Sequence, residues 1–93
     1  MAGPLSSGKV LTRIDLSSTR IALVVAEWNE EITEALYQSA VATLLSHGVT
    51  KENIIRKNVP GTFELSLGAQ WMAQRDEIDA VICLGCVIQG ETP

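Results

Sequence analysis

The feature that most constrains this chain is an apolar run at residues 20–26, in which Ile, Ala, Leu and Val follow a single Arg without further polar interruption. A strand with one solvated face alternates apolar and polar side chains, whereas a continuous run is typical of a strand buried on both faces. A similar run, residues 79–88, lies near the end of the sequence. Strands covered on both faces indicate an α/β protein in which helices flank a parallel sheet.

Between these runs the sequence predicts two helices and one more strand. Asn29 is a candidate N-cap for the first helix, and Gly48 is a candidate C-terminal stop. A second strand over residues 53–59 and a second helix over about 63–74 follow. The order β-α-β-α-β predicts parallel strands joined by right-handed crossovers. The first helix is predicted to pack inward the apolar positions that recur at three- and four-residue spacing, namely Ile32, Leu36, Tyr37, Ala40, Val41, Leu44 and Leu45.

The length of 93 residues suits one small domain. We expect residues 1–18 to be a flexible leader with a possible edge strand at 9–14, and residues 19–93 to be the N-terminal portion of a single domain. The last predicted strand runs into a polar loop, residues 89–93, of the kind that builds ligand sites at the carboxyl edge of α/β sheets. Because the sequence stops there, we expect an incomplete sheet whose last strand has an unpaired apolar edge.

Composition argues against several classes of partner. The net charge is -4 and the seven basic residues are scattered, which is unlike a nucleic-acid-binding surface. No apolar run reaches the roughly 18–20 residues that a membrane span needs. The start of the sequence does not resemble a signal peptide. The sequence contains only two cysteines, which is consistent with a reducing, cytoplasmic compartment.

Three groups of residues follow the predicted strands and are therefore expected at one edge of the sheet. Trp28 could stack on a planar heterocycle, or it could simply cover the end of the core. Glu64 opens the second helix, where it could hold a polar ligand or merely complement the helix dipole. The Gly90-Glu91-Thr92 loop could cradle a phosphate with its backbone amides, although it contains no Lys.

The Cys83-x-x-Cys86 spacing would suit a redox pair or half of a zinc site. Residues three apart on a strand point to opposite faces, so the two sulfur atoms should diverge. His47 is the only histidine and falls at the end of the first predicted helix, where we expect it to cap that helix. We therefore predict no metal site.

Six ordered motifs with compatible spacing lie at residues 24–29, 32–33, 47–49, 52–54, 59–65 and 79–92. Together these motifs resemble the 6,7-dimethyl-8-ribityllumazine synthase family. The resemblance implies a flavodoxin-like fold in three layers, helices on both sides of a parallel sheet. It also implies condensation of 5-amino-6-(D-ribitylamino)uracil with 3,4-dihydroxy-2-butanone 4-phosphate in riboflavin biosynthesis, without metal or redox cofactor.

The resemblance also assigns roles to individual residues. Trp28 stands at the aromatic position, usually Phe, that stacks on the pyrimidine ring. By the same resemblance Glu91 and Thr92 bind phosphate, and the acid/base His is expected just after Pro93. The residues expected to border the ribityl chain are Thr62, Phe63 and Glu64, and those expected at the uracil edge are Cys86, Val87 and Ile88.

Other parts of the family's site are expected outside this sequence. The resemblance implies a basic residue that clamps the phosphate and a second aromatic contact, both from a C-terminal portion, and identical subunits assembled as a pentamer or a 60-subunit icosahedral capsid. Gln89 replaces a more usual Arg. We expect the 93 residues alone to be inactive. The alternative is a non-catalytic binder of flavin-like ligands or a shell scaffold. A generic flavodoxin-like nucleotide binder lacks support, because no Gly/Ser/Thr-rich phosphate loop follows the first strand of this sequence.

Overall fold

The computed structural model of the chain describes residues 14–89. Most of the predicted leader, and all but the last residue of the predicted edge strand at 9–14, lie outside the described residues. Residues 14–20 contain a turn but neither helix nor strand. The division of the chain at residue 19 stays a prediction.

Strands and helices alternate in the predicted order. The three strands are all parallel, and the first of them lies between the other two. This confirms the predicted α/β fold. The elements are β1 (Ile21–Ala26), α1 (Glu30–Ser46), β2 (Ile54–Val59), α2 (Leu65–Ala73) and β3 (Ala80–Leu84), with short 3-10 turns at Lys51–Asn53 and Thr62–Glu64.

The strand order β2-β1-β3 determines where the helices lie. The first crossover leads from β1 outward to β2, and the second leads back past β1 to β3. Right-handed crossovers in opposite directions place α1 and α2 on opposite faces of the sheet. Three layers result, and the strand order is the beginning of the flavodoxin-like order 2-1-3-4-5. Within residues 14–89 no further strand pairs with β3, so its outer edge is unpaired, as predicted.

Strand β1 is the centre of the core, and all six of its residues are buried. Val24 and its alternate neighbours pack with Met72 of α2, while Leu23 and Val25 point to the other face, which α1 covers. Helix α2 approaches closely because Gly68 has no side chain. A Cβ there would lie 2.8 Å from Cγ1 of Val24 and 2.9 Å from Cγ1 of Val59.

Helix α1 buries less apolar surface than its sequence predicts. Its one fully buried residue is Thr33, whose hydroxyl donates to carbonyls of the preceding turn. Ile32, Leu36 and Leu45 are exposed, so the prediction that they pack inward is wrong for these residues. The helix packs mainly on β1 and β3, and its remaining flank is left uncovered within residues 14–89. Neither α1 nor α2 has the length and apolar content that crossing a membrane requires.

The two ends of α1 follow different rules. At the C-terminus, Gly48 has φ +99°, its N–H donates to Leu45, and the N–H of Val49 donates to Leu44, which is the Schellman arrangement. His47 is the C-cap residue, and its Nδ1 lies 2.9 Å from the carbonyl oxygen of Thr43. The predicted stop and the capping histidine are thus confirmed.

At the N-terminus, the prediction that the Asn29 side chain caps α1 is wrong. Asn29 occupies the N-cap position but adopts left-handed backbone angles, φ 60° and ψ 55°, and makes no side-chain capping hydrogen bond. Its carbonyl accepts from the N–H groups of Ile32 and Thr33. The side-chain amide instead reaches across to the segment that follows β3.

Strand β3 ends at Leu84, four residues before the predicted end. Its register against β1 pairs Leu84 with Val25, near the end of β1. Beyond that point the backbone of Cys86 bonds to a side chain from the loop after β2. This interaction takes residues 85–89 out of the strand ladder.

Candidate functional site

The carboxyl ends of the three parallel strands lie at one edge of the sheet, and their following loops contact one another there. The N–H of Glu27 donates to the carbonyl of Val59 at 2.8 Å, and the N–H of Trp28 donates to the carbonyl of Pro60 at 3.0 Å. The first bond continues the pairing of β1 and β2 past the end of β1, and the second continues it past the end of both strands. They set Trp28 beside the turn that leads to α2.

The loop after β2 is joined to the segment after β3 through one hydroxyl group. Thr62 Oγ1 donates to the carbonyl oxygen of Cys86 at 3.1 Å and accepts from the N–H of Cys86 at 3.2 Å. Gly85 allows this approach, because a Cβ there would lie 2.6 Å from Cδ1 of Leu65 and 2.9 Å from Oγ1 of Thr62. The predicted site residues Thr62 and Cys86 are therefore in direct contact.

The segment after β1 meets the same residue from the other side. Asn29 Nδ2 lies 3.8 Å from Sγ of Cys86, a weak hydrogen bond between the loop after β1 and the segment after β3. These two strands are neighbours, and the chain leaves them at the point where the strand order reverses. In open α/β sheets this crevice is where ligands bind.

Glu64 lies at the start of α2 and is held by its own loop. Its Oε1 accepts from the N–H of Gly61 at 2.9 Å. The carboxylate thereby stabilises the turn after Pro60, as a residue at the third position of a helix commonly does. Glu64 thus has a structural role, which the sequence left open. The second carboxylate oxygen, Oε2, stays available as a hydrogen-bond acceptor.

Four apolar residues at this edge expose much of their surface. Trp28 is 53% exposed, Phe63 92%, Val87 82% and Ile88 51%. Trp28 therefore has an accessible surface, although its backbone is fixed. Large apolar side chains grouped at one edge are typical of a binding surface rather than of an ordinary solvated loop.

The two cysteines point to different parts of the molecule, as predicted. Cys83 Sγ lies 3.9 Å from the carbonyl oxygen of Leu65 at the start of α2, whereas Cys86 Sγ faces Asn29 at the start of α1. Both are free thiols. Within residues 14–89, no three His, Cys, Asp or Glu side chains are grouped so that they could hold a metal ion.

The predicted phosphate-binding residues Glu91 and Thr92 lie outside the described residues. The predicted acid/base His lies beyond the sequence itself. Their places relative to Trp28 and Thr62 stay predictions.

Sequence reasoning missed two residues of this edge. The sequence suggests only a capping role for Asn29, yet its side chain links the segment after β1 to Cys86. The signal for this was an Asn close behind a buried strand, because Asn tolerates the left-handed backbone conformation that turns its side chain away from the helix. Gly85 was interpreted as part of a strand. A glycine inside a strand pattern often marks a close backbone approach, and that signal was present.

Comparison with known proteins adds to this geometry. The profile of the 6,7-dimethyl-8-ribityllumazine synthase family matches residues 18–93, which is most of the chain. The chain belongs to this family. The match includes all three strands and every residue named above at the carboxyl edge.

Individual members of the family are similar to the chain over the same region. A 6,7-dimethyl-8-ribityllumazine synthase of Cytophaga hutchinsonii is 72% identical over 78 residues, covering 84% of this chain and 49% of that protein. Proteins of the same name from Parabacteroides distasonis and Porphyromonas gingivalis are 56% and 54% identical, covering 85% and 80% of this chain and 49% and 46% of their own lengths. The chain thus spans about half the length of these relatives.

Proposed function

We propose that this chain forms the pyrimidine- and ribityl-binding part of a lumazine synthase in riboflavin biosynthesis. The reaction condenses 5-amino-6-(D-ribitylamino)uracil with 3,4-dihydroxy-2-butanone 4-phosphate to 6,7-dimethyl-8-ribityllumazine and releases phosphate. The observation that carries the proposal is the bonding of Thr62 to Cys86, which joins two loops of family-matched residues into one surface.

Trp28 is proposed to stack on the pyrimidine ring. Its backbone is tied to Pro60, while about half of its surface stays accessible. A ring held in this way offers a flat face at little cost in conformational entropy. Aromatic stacking contributes about 0.5–1.5 kcal/mol beyond area burial.

The ribityl chain is proposed to lie along the start of α2. Glu64 is oriented by its bond to Gly61, and we assign its Oε2 to a ribityl hydroxyl. Phe63, almost fully exposed beside it, would cover the apolar face of the chain of carbons. Thr62 borders the same region, between this turn and Cys86.

The segment after β3 is proposed to read the uracil edge. Because the backbone of Cys86 is fixed by Thr62, the following peptide groups of Val87 and Ile88 can present N–H and C=O groups in a defined direction. Uracil carries alternating donors and acceptors along its edge. Backbone groups suit such a pattern without any requirement on the side chains.

Catalysis is proposed to depend mainly on positioning. The amine of one substrate attacks the carbonyl of the other to form a Schiff base with loss of water, phosphate is eliminated, and the ring closes with loss of a second water. Holding two reactants face to face can supply much of the acceleration, and an anion-binding loop at Glu91 and Thr92 would favour departure of the phosphate. We assign the acid/base His, the basic phosphate clamp and a second aromatic contact to the half that the relatives have in addition, and propose that residues 1–93 alone are inactive.

The proposed partners are that complementary half and identical subunits, arranged as a pentamer or an icosahedral shell. The uncovered flank of α1, with Ile32 and Leu36, and the exposed Leu67 and Trp71 of α2 support association with further protein surface. The two free thiols support a reducing compartment such as the cytoplasm.

A hybrid protein tests the proposal. Residues 1–93 are followed by the second half of the Cytophaga hutchinsonii relative, and formation of the lumazine is measured from its fluorescence. We expect the hybrid to form product and the 93-residue chain to form none. A hybrid that binds the lumazine without forming it would favour the non-catalytic binder, and one that does neither would contradict the proposal.

A further inference from the structure

We infer that Thr62 is a positioning residue whose hydroxyl orients the segment after β3 for ligand binding, an inference that rests on the proposed function. The hydroxyl makes two bonds to one residue, donating to the Cys86 carbonyl and accepting from the Cys86 N–H. A threonine hydroxyl has a single proton to donate. Since that proton is used within the protein, Thr62 acts on the ligand through Cys86 rather than by donating to the ligand itself.

The residues around this contact allow the two loops to approach each other closely. Gly85 precedes Cys86, and any side chain at that position would meet Thr62 and Leu65 within 3 Å. The β3 ladder ends at Leu84, and the Cys86 N–H and C=O bond to Thr62 instead of to a strand. The threonine therefore replaces a ladder partner at the position where the chain turns into the site.

Cys86 is held by contacts from two loops, and its position therefore determines the direction in which the next residues leave it. Thr62, from the loop after β2, fixes its backbone, while Asn29, from the segment after β1, contacts its sulfur. Val87 and Ile88 follow and are exposed. Without the hydroxyl, the backbone of Cys86 loses both partners, and the segment must be ordered when the ligand binds, which weakens binding.

Two substitutions separate the hydroxyl from the rest of the side chain. Thr62→Val keeps the shape and removes the hydroxyl, whereas Thr62→Ser keeps the hydroxyl and removes a methyl group. The first measurement is hydrogen exchange of the Cys86 amide, in the 93-residue chain and in the hybrid protein. The parent amide should be protected, Thr62→Val should speed its exchange about tenfold relative to the Leu23 amide of the buried strand, and Thr62→Ser should restore protection.

The second measurement is steady-state kinetics of the hybrid protein. Thr62→Val should raise KM for the ribitylaminouracil about tenfold with a smaller change in kcat, and Thr62→Ser should recover most of the loss. A general loss of stability would instead speed exchange at Leu23 as much as at Cys86.

Each contrary outcome is distinct. An unprotected Cys86 amide in the parent, an unchanged amide in Thr62→Val, or equal losses in both variants would overturn the inference. If Thr62→Val does not fold, Thr62→Ser still decides, because it must keep the Cys86 amide protected. If the parent hybrid forms no product and binds no lumazine, the proposed function fails, while the exchange data still decide whether the hydroxyl holds Cys86.

Discussion

At the scale of single residues, the carboxyl edge combines fixed backbone with accessible side chains. Trp28 illustrates this, since its N–H donates to the carbonyl of Pro60 while about half of the residue's surface is exposed. The other tryptophan, Trp71, is equally exposed but lies on α2. The pair offers a matched comparison between a proposed ligand contact and an equally exposed tryptophan away from the carboxyl edge.

Trp28→Ala in the hybrid protein should weaken lumazine binding by about 1 kcal/mol, roughly fivefold in Kd, whereas Trp28→Phe should keep most of the affinity, because stacking needs a ring rather than an indole. The titration follows the fluorescence of the lumazine itself, which all variants can report, and Trp71→Phe is the control substitution at an equally exposed tryptophan. Equal Kd values for the parent and Trp28→Ala would contradict the stacking role.

At the scale of elements, α1 packs on β1 and β3 and is attached to β2 by a charged contact. The Arg56 guanidinium donates to both carboxylate oxygens of Glu34, at 2.8 and 3.2 Å, and lies 4.2 Å from the ring centre of Tyr37. Its Nε donates to Asn58. The Arg56 hydrogen bonds, and then one from Gln38, lower the pKa of Glu34, and the Glu34 carboxylate raises the pKa of Arg56.

The stability that Glu34 provides should therefore depend on pH. Because its pKa is lower in the folded protein than its ordinary value of 4.5, the folded state binds the proton less readily than the unfolded state. The contribution is present above 4.5 and is lost as the pH falls through the lowered pKa. Glu34→Gln should thus reduce the unfolding free energy at about pH 7 and have a smaller effect at about pH 3.

Urea unfolding at both pH values measures this difference. Glu52→Gln is the control, since it removes the same charge at an exposed residue outside both α-helices that forms no ion pair within residues 14–89. A Glu34→Gln effect that is as large in acid as at neutral pH would assign the loss to packing instead of charge.

At the scale of the whole molecule, the sheet is covered unevenly. The central strand β1 is buried along its length, whereas β3 is only partly buried and its outer edge is unpaired within residues 14–89. Exposed apolar side chains occur on both helices. These surfaces are those that a further strand and further helices would cover in a complete flavodoxin-like sheet.

The hybrid protein should therefore be more stable than the 93-residue chain, by about 2 kcal/mol or more in unfolding free energy, because it buries additional apolar surface. Its urea m-value should also rise with the larger surface exposed on unfolding. Urea unfolding followed by circular dichroism measures both quantities. Equal midpoints and equal m-values would show that the added half folds separately without covering β3.

The sequence by itself determined the elements and their direction. The unbroken apolar run of β1, the Gly48 stop and the alternation of strand and helix are local patterns, and right-handed crossovers leave parallel strands as the outcome. Part of the candidate site at the carboxyl edge was also predictable from the sequence, because residues that come after parallel strands must lie at the same edge of the sheet.

The tertiary structure alone decided which of those residues touch. Thr62 and Cys86 are 24 positions apart, and Asn29 and Cys86 are 57 apart. No local pattern encodes these pairs, because each depends on the order of strands in the sheet. The same contacts explain why β3 ends at Leu84 and why the Asn29 side chain leaves the helix it was expected to cap. The local periodicity of the sequence determines where a helix or strand forms. The hydrogen bonds that end it and orient its last residues come from residues distant in the sequence, which only the fold brings near.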